Sequence, residues 1–132
     1  MLQLTRTVYE AMIDHCRSQA PQEACGLLAG VGNTADHIHP MTNTAHSPVR
    51  YAMDPPEQLR VQRAMRSQGT TLLGIYHSHP ASPAHPSPTD VALAADPTPH
   101  YLIVSLAPPR PVVQVFRIYD GHVAQDDLQV TG

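Results

Sequence analysis

Leu2 and Leu4 alternate with polar neighbours and predict a short edge strand, after which the spacing turns helical: Val8, Ala11, Met12 and His15 share one face. Thr7 and Glu10 stand ahead of that face as a capping box, so the first helix is expected over Val8–Ser18, and Pro21 ends it. Ala24-Cys25-Gly26-Leu27-Leu28-Ala29-Gly30 then predicts a buried strand whose small residues let another element approach closely, with Glu23 at its entrance. The polar, His-rich stretch 31–53 carries expected strands near Ala35–Pro40 and Arg50–Met53. Asp54, Pro55 and Glu57 supply an N-cap, a proline at N1 and an acid at N3, and Leu59, Val61, Ala64 and Met65 continue as a second helix to Gly69. Thr71–Tyr76 is an apolar run into His77-Ser78-His79, which puts both His at the C-terminal end of a central strand. Ser87, Pro88 and Asp90 repeat the capping pattern before a third helix that begins Val91-Ala92-Leu93-Ala94. Strands resume at Tyr101–Leu106, and a last pair, Val112–Tyr119 and His122–Val130, is joined by Asp120-Gly121, the signal of a type I′ hairpin. Strands interleaved with three helices predict an α/β domain, one mixed sheet flanked by helices on both faces.

A chain of 132 residues fits one domain over 1–132. With 42% hydrophobic and 14% charged residues it is too apolar for a disordered polymer, yet no apolar run approaches the roughly 20 residues of a membrane helix. The net charge is -3, and all eight basic residues are scattered Arg, so no face for nucleic acid is expected. Arg60, Arg63 and Arg66 fall on one side of the second helix as a solvated face. The opening Met1-Leu2-Gln3-Leu4-Thr5-Arg6 lacks the basic stretch and long apolar core of a secretory signal, so a cytoplasmic location is expected, with Cys16 and Cys25 as thiols. The outliers are nine His and 14 Pro. The proline excess collects at Pro80, Pro83, Pro86 and Pro88, among three of the His.

That clustering locates the chemistry. His77 and His79 share one face of a strand with Cα atoms about 6.6 Å apart, close enough for two imidazoles to converge on one ion. Asp90 follows at the start of a helix, and four prolines stiffen the connection, which lowers the entropy cost of holding its carboxylate against the two His. Two His and one carboxylate leave a fourth tetrahedral position open, the ligand set of a catalytic zinc. The same set holds iron in oxygenases, which need more open positions. His37-Ile38-His39 repeats the spacing without a carboxylate on a rigid connector and reads as an exposed strand. No His-Glu-x-x-His helix or Pro-Cys-x-x-Cys deaminase signature is present. Cys25 shares a strand face with Glu23, which raises a cysteine peptidase as a competitor, although beside Gly26 and Leu27 it fits a small core residue better. Ser78 faces the opposite side of its strand from the two His and is expected to pack rather than attack.

The run Pro21-Gln22-Glu23-Ala24-Cys25-Gly26-Leu27-Leu28-Ala29-Gly30, with Gly74-Ile75-Tyr76-His77-Ser78-His79-Pro80 and Pro86-Ser87-Pro88-Thr89-Asp90, resembles the JAMM (MPN-plus) metalloprotease family. Asn43–Tyr51 and Tyr101–Leu106 also fit its short bacterial members, so the resemblance covers nearly the whole chain. It implies a JAMM-like α-β-α fold, one zinc per chain on His77, His79 and Asp90, Glu23 as general acid/base, and Ser87 as the side chain that stabilises the tetrahedral oxyanion. The inactive MPN branch lacks these ligands. The chemistry is coherent: zinc lowers the pKa of a bound water towards ~7, and a carboxylate that takes the water's proton can deliver it to the leaving amine.

By the same resemblance the substrate is an amide or isopeptide bond after the Gly-Gly tail of ubiquitin or a ubiquitin-like protein. Short bacterial members resemble peptidases of sulfur-carrier proteins, some of which release cysteine from a carrier-cysteine adduct. A Gly-Gly tail fits extended in a narrow groove beside an exposed strand, and Asn43, Ser47 and Tyr51 are the candidate groove residues. The chain lacks the long insertions of polyubiquitin-selective relatives and carries Ile75 where eukaryotic members commonly have Trp, which disfavours polyubiquitin. The expectation is a zinc metallopeptidase of a ubiquitin-like sulfur carrier, with no nucleic-acid or membrane partner. The alternatives are an isopeptidase that removes such modifiers from protein lysines and a non-catalytic, zinc-stabilised interaction module.

Overall fold

Thr5 ends β1 (Leu2–Thr5) and caps α1 (Arg6–Gln19) at once, its Oγ1 accepting the Val8 N–H at 3.3 Å. In the computed structural model, which describes residues 1–132, the cap therefore lies two residues upstream of the Thr7–Glu10 box that the sequence suggested. Thr5 is the last residue in an extended conformation and its hydroxyl reaches the orphan donors of the first turn, whereas Thr7 is already helical.

The chain continues through β2 (Cys25–Val31), β3 (Thr34–Met41), α2 (Pro55–Gln68), β4 (Thr71–His79), α3 (Pro88–Leu93), β5 (His100–Ser105), β6 (Val112–Tyr119), β7 (His122–Asp126) and β8 (Leu128–Thr131). Eight strands form one mixed sheet in the order β7-β6-β5-β4-β2-β3-β1-β8. β4 is central, antiparallel to β2 and parallel to β5. β1 is not an edge strand as expected; it lies between β3 and β8, parallel to both, which is why Leu2 and Leu4 are fully buried. The predicted His122–Val130 strand is also two. Asp120 and Gly121 take the left-handed conformation of the expected hairpin, with φ of 49° and 75°, and β7 returns along β6. At Asp127 the chain bends: Asp126 Oδ1 takes the Asp127 N–H, the Asp127 carbonyl takes the Leu2 N–H, and β8 pairs with β1.

A single residue thus carries the chain from one edge of the sheet to the other, so the sheet curls upon itself. α1 fills the inside of the curl: Val8, Met12 and Cys16 pack with Leu2 and Leu4 from one half of the sheet and with Leu102, Val104 and Val115 from the other. α2 covers the opposite face through Met65, against Cys25, Leu27, Ala29 and Met41. α3 lies beside it over Tyr101, Ile103 and Phe116. Both faces are covered, as the strand–helix pattern predicts.

Helix α2 has the predicted boundaries, Asp54 as N-cap and Gly69 in the left-handed conformation at φ 70°, although the Asp54 side chain makes no capping bond. Glu57 instead accepts the Thr42 N–H at 2.8 Å and the Thr42 hydroxyl at 3.1 Å, tying α2 to the end of β3. Arg60, Arg63 and Arg66 are exposed, as a solvated face requires. The expected Arg50–Met53 strand is absent. Its neighbour is not a strand but Asn43 and Thr44, whose side chains and backbone satisfy Ala52 in a closed loop. Both cysteines are free and buried, and no helix is long and apolar enough to cross a membrane.

Candidate active site

β4 delivers His77 and His79 at the end of the central strand, and the register against β5 sets them opposite Ile103 and Ser105. Period two turns both imidazoles to the side covered by α3, while Ser78 points the other way and accepts the Ala24 N–H at 2.8 Å, fully buried. The loop after His79 is held down by its own prolines and by Ser105, whose hydroxyl donates to the Ser82 carbonyl at 2.6 Å. It returns into α3, where Ser87 and Asp90 form the predicted capping box: Ser87 Oγ accepts the Asp90 N–H at 3.1 Å and Asp90 Oδ2 accepts the Ser87 N–H at 2.9 Å.

Three atoms converge as a result. His77 Nε2 lies 3.2 Å from His79 Nε2, and Asp90 Oδ2 lies 3.1 Å from the first and 3.0 Å from the second, all three residues being buried. An ion bound tetrahedrally at 2.0–2.1 Å sets its ligand atoms about 3.3 Å apart, so the triangle is close to the size zinc requires. Its chemistry fits too. His79 Nδ1 donates to the Pro83 carbonyl at 2.8 Å, so when the ring gives up its Nε2 proton the freed lone pair faces the triangle. Burial presses against ionised Asp90, but hydrogen bonds from His77 and His79 hold its carboxyl well below the ordinary range, so the carboxylate is ready as a ligand. Burial lowers His77, keeping it neutral; for His79, burial is outweighed by Asp90 and the Pro83 carbonyl, and the pKa is raised. His37 and His39 do not join any such group; His37 bonds its neighbour Asp36 at 2.6 Å.

Glu23 is buried just before β2 starts, and its Oε1 has no hydrogen-bond partner. Burial, reinforced by the Asp90 charge and opposed by His79, pushes its carboxyl up to about 8. A buried carboxyl with a raised pKa and a free oxygen can take up and release a proton near neutral pH. Cys25, by contrast, is pushed up to about 12 by burial and by the charges of Glu57 and Glu23, which makes it a poor nucleophile.

The 43–52 loop closes the other side. The Tyr51 ring stacks on His77, centroids 4.7 Å apart and planes at 28°. Beyond it lies a cavity of about 320 Å³ bounded by Tyr51, Met53, Gln58, Ile75, Leu93 and Tyr101. A larger concavity, near 920 Å³, sits between α3 and the β6–β7 turn but contains none of the converging groups. Ser47 is half-buried, its Oγ accepting the Val49 N–H at 3.1 Å. Asn43 turns inward, its amide bonded to Glu23, Arg50, Ala45 and Ala52. Sequence reasoning missed the Tyr51–His77 stack and the Pro83 carbonyl behind His79; neither carries a periodic signal, since both depend on where loops return in space.

Residues 5–119 match the family described as prokaryotic homologs of the JAB domain. A CysO-cysteine peptidase of Mycobacterium tuberculosis (strain ATCC 25618 / H37Rv) is 43% identical over 133 residues, covering 98% of this chain and 91% of the relative. A desampylase of Haloferax volcanii is 39% identical over 111 residues, covering 79% of this chain and 80% of that protein. Among solved structures, a protein of Desulfitobacterium hafniense superposes with a TM-score of 0.90 at 42% identity, covering 99% of this chain and 93% of that one. With the family match spanning most of the chain, and the mycobacterial relative and the Desulfitobacterium structure nearly all of it, the protein belongs to the prokaryotic JAB-domain branch of the JAMM/MPN family.

Proposed function

We propose that the chain is a zinc metallopeptidase that hydrolyses the amide bond after the C-terminal Gly-Gly of a ubiquitin-like sulfur-carrier protein, releasing cysteine from a carrier-cysteine adduct. The observation that carries this reading is the convergence of His77 Nε2, His79 Nε2 and Asp90 Oδ2 beside a buried, unpartnered Glu23 carboxyl oxygen. The similarity to a CysO-cysteine peptidase along 98% of the chain supports the substrate class.

His77, His79 and Asp90 would hold one zinc ion, which when bound supplies Lewis acidity. Glu23 takes a proton from the attacking water at its free Oε1 and returns it to the leaving amine, one carboxyl serving both transfers. Ser87 Oγ accepts the Asp90 N–H, so its own O–H remains free to donate to the developing oxyanion; cap and oxyanion donor are compatible in one side chain. Tyr51 stacks on His77, Ser47 lies on the same loop and Asn43 closes that loop; we assign these three to the carrier's tail, whose Gly-Gly has no side chains to accommodate. A cytoplasmic setting accords with two free thiols.

Intact-mass analysis of a Gly-Gly-Cys-terminated carrier, incubated with zinc-loaded protein and with Glu23→Gln as the blank, tests the proposal. Loss of the single cysteine with the wild type alone is the expected result. The Haloferax desampylase similarity favours a second reading, an isopeptidase acting on lysine-linked modifiers. The same carrier joined to a lysine side chain separates the two, and zinc bound at one per chain without cleavage of either substrate would leave the interaction module.

A further inference from the structure

Glu23 has an unusual support. Its carboxyl oxygen Oε1 is buried without a donor, so no hydrogen bond to that atom fixes where the carboxylate sits. Glu23 also precedes β2, so the strand ladder does not hold its peptide groups. Both are held by one loop. The Glu23 N–H donates to the Ser47 carbonyl at 2.9 Å, and the Glu23 carbonyl accepts Asn43 Nδ2 at 2.9 Å.

Asn43 is itself 7% exposed and uses every valence of its amide. Nδ2 donates a second bond to the Arg50 carbonyl at 3.0 Å, and Oδ1 accepts the Ala45 N–H at 3.0 Å and the Ala52 N–H at 3.1 Å. Three bonds close the 43–52 loop upon itself and the fourth ties the closed loop to Glu23. The same loop carries Tyr51, stacked on His77. Ala24, the next residue, is tied to Ser78 between the two imidazoles by its N–H at 2.8 Å and its carbonyl at 3.0 Å, and the Asn43 amide adds the side-chain bond that holds the Glu23 carbonyl itself.

We propose that Asn43 is a positioning residue for Glu23, acting through the Asn43 Nδ2–Glu23 carbonyl bond to fix the carboxylate against the His77–His79–Asp90 group. The proposal rests on the reading of Glu23 as the general acid/base. A misplacement near 1 Å costs catalysis on the order of 100-fold, whereas substrate affinity does not pass through this bond.

Asn43→Asp keeps the oxygen that accepts Ala45 and Ala52 and removes the donor to Glu23 together with the loop-closing donor to the Arg50 carbonyl. Asn43→Ser provides an uncharged second variant. Thr44→Val is the control, because it removes a loop bond, the Thr44 hydroxyl to the Ala52 carbonyl at 3.1 Å, that does not touch Glu23. Each protein is assayed for kcat and KM on the carrier-cysteine adduct, for zinc per chain and for melting temperature. The expected result is a fall in kcat of roughly 100-fold in the Asn43 variants, with KM within about threefold, full zinc content, and wild-type kcat in Thr44→Val. A folded, zinc-loaded Asn43 variant with wild-type kcat overturns the proposal. So does a loss confined to KM, an equal loss in Thr44→Val, or failure of both Asn43 variants to fold, each of which assigns Asn43 to the loop rather than to Glu23. A wild type that cleaves neither the cysteine adduct nor the lysine-linked carrier overturns the functional reading itself, and the positioning role with it.

Discussion

Asp90 Oδ2 accepts the Ser87 N–H at 2.9 Å and presents the same oxygen to His79 Nε2 at 3.0 Å and His77 Nε2 at 3.1 Å. One atom closes a helix cap and completes the His77–His79–Asp90 triangle. The carboxylate is thus oriented by α3, so an ion held there, as proposed, would meet a group already ordered. The two duties separate by substitution. Asp90→Asn retains an oxygen for the cap, whereas Asp90→Ala retains nothing. Both variants are expected to bind less than about 0.1 zinc per chain by elemental analysis, and metal-free Asp90→Ala should be less stable than metal-free Asp90→Asn by about 1 kcal/mol in denaturant titration. Equal midpoints would show that the carboxylate matters to the ion alone.

Ser87 divides in the same way. Alanine there leaves the Asp90 N–H without its acceptor and costs about 1 kcal/mol, while glycine at an N-cap costs only a few tenths. If the hydroxyl also serves the oxyanion, Ser87→Gly and Ser87→Ala lose kcat alike, by about 100-fold or more, although their stabilities differ. Turnover that follows stability across the pair would confine Ser87 to capping.

What the sequence made legible was local. The period of two at His77 and His79, the cap pattern at Ser87, Pro88 and Asp90, the start of α2 at Asp54 and Pro55, and the hairpin at Asp120-Gly121 each lie within a few residues, where spacing fixes geometry. What it hid was non-local. Alternation at Leu2 and Leu4 says which way the side chains point but not that β3 and β8 lie on either side, and nothing in the composition of 122–130 shows that Asp127 must cross from one sheet edge to the other. The Thr5 cap was hidden by a competing Thr7 two residues on. In the site, the converging side chains sit on elements the pattern could place, while Tyr51 reaches His77 from a loop whose course depends on the Asn43 bonds.

Gly26 shows why the β2 run is built from small residues. A Cβ there would fall 2.2 Å from Tyr76 Cε2, a clash with the hydroxyl-bearing edge of a fully buried ring whose hydroxyl bonds His15 Nδ1 at 2.7 Å. Tyr76 faces Gly26 across the β2–β4 ladder and cannot retreat without breaking that bond. Gly26→Ala is expected to cost about 1–3 kcal/mol by overpacking. In a Tyr76→Leu background most of that cost should vanish, a non-additivity that a double-mutant cycle of unfolding free energies reads directly. Additive losses would place the strain in the backbone of β2 instead.

The raised pKa of Glu23 makes a claim about the metal-free protein. Burial first, and then the Asp90 charge, push the carboxyl up to about 8 against an ordinary value near 4.5. The folded state therefore holds this proton more tightly than the unfolded chain. The stability contributed by the protonated carboxyl is present in full below the ordinary value and is lost as pH rises through about 8. Glu23→Gln has no such proton to lose. The melting temperature of the metal-free wild type should fall relative to Glu23→Gln from about pH 5 to about pH 8.5, with no further divergence in more acid solution. His77 is common to both proteins, whereas Glu23 also raises His79, so the difference between them reads Glu23 together with its coupling to His79. Adding zinc should narrow the gap, because a nearby dication favours the ionised carboxylate. Parallel melting curves across the range would mean that Glu23 ionises as freely in the fold as in the unfolded chain, and that its buried oxygen is already solvated.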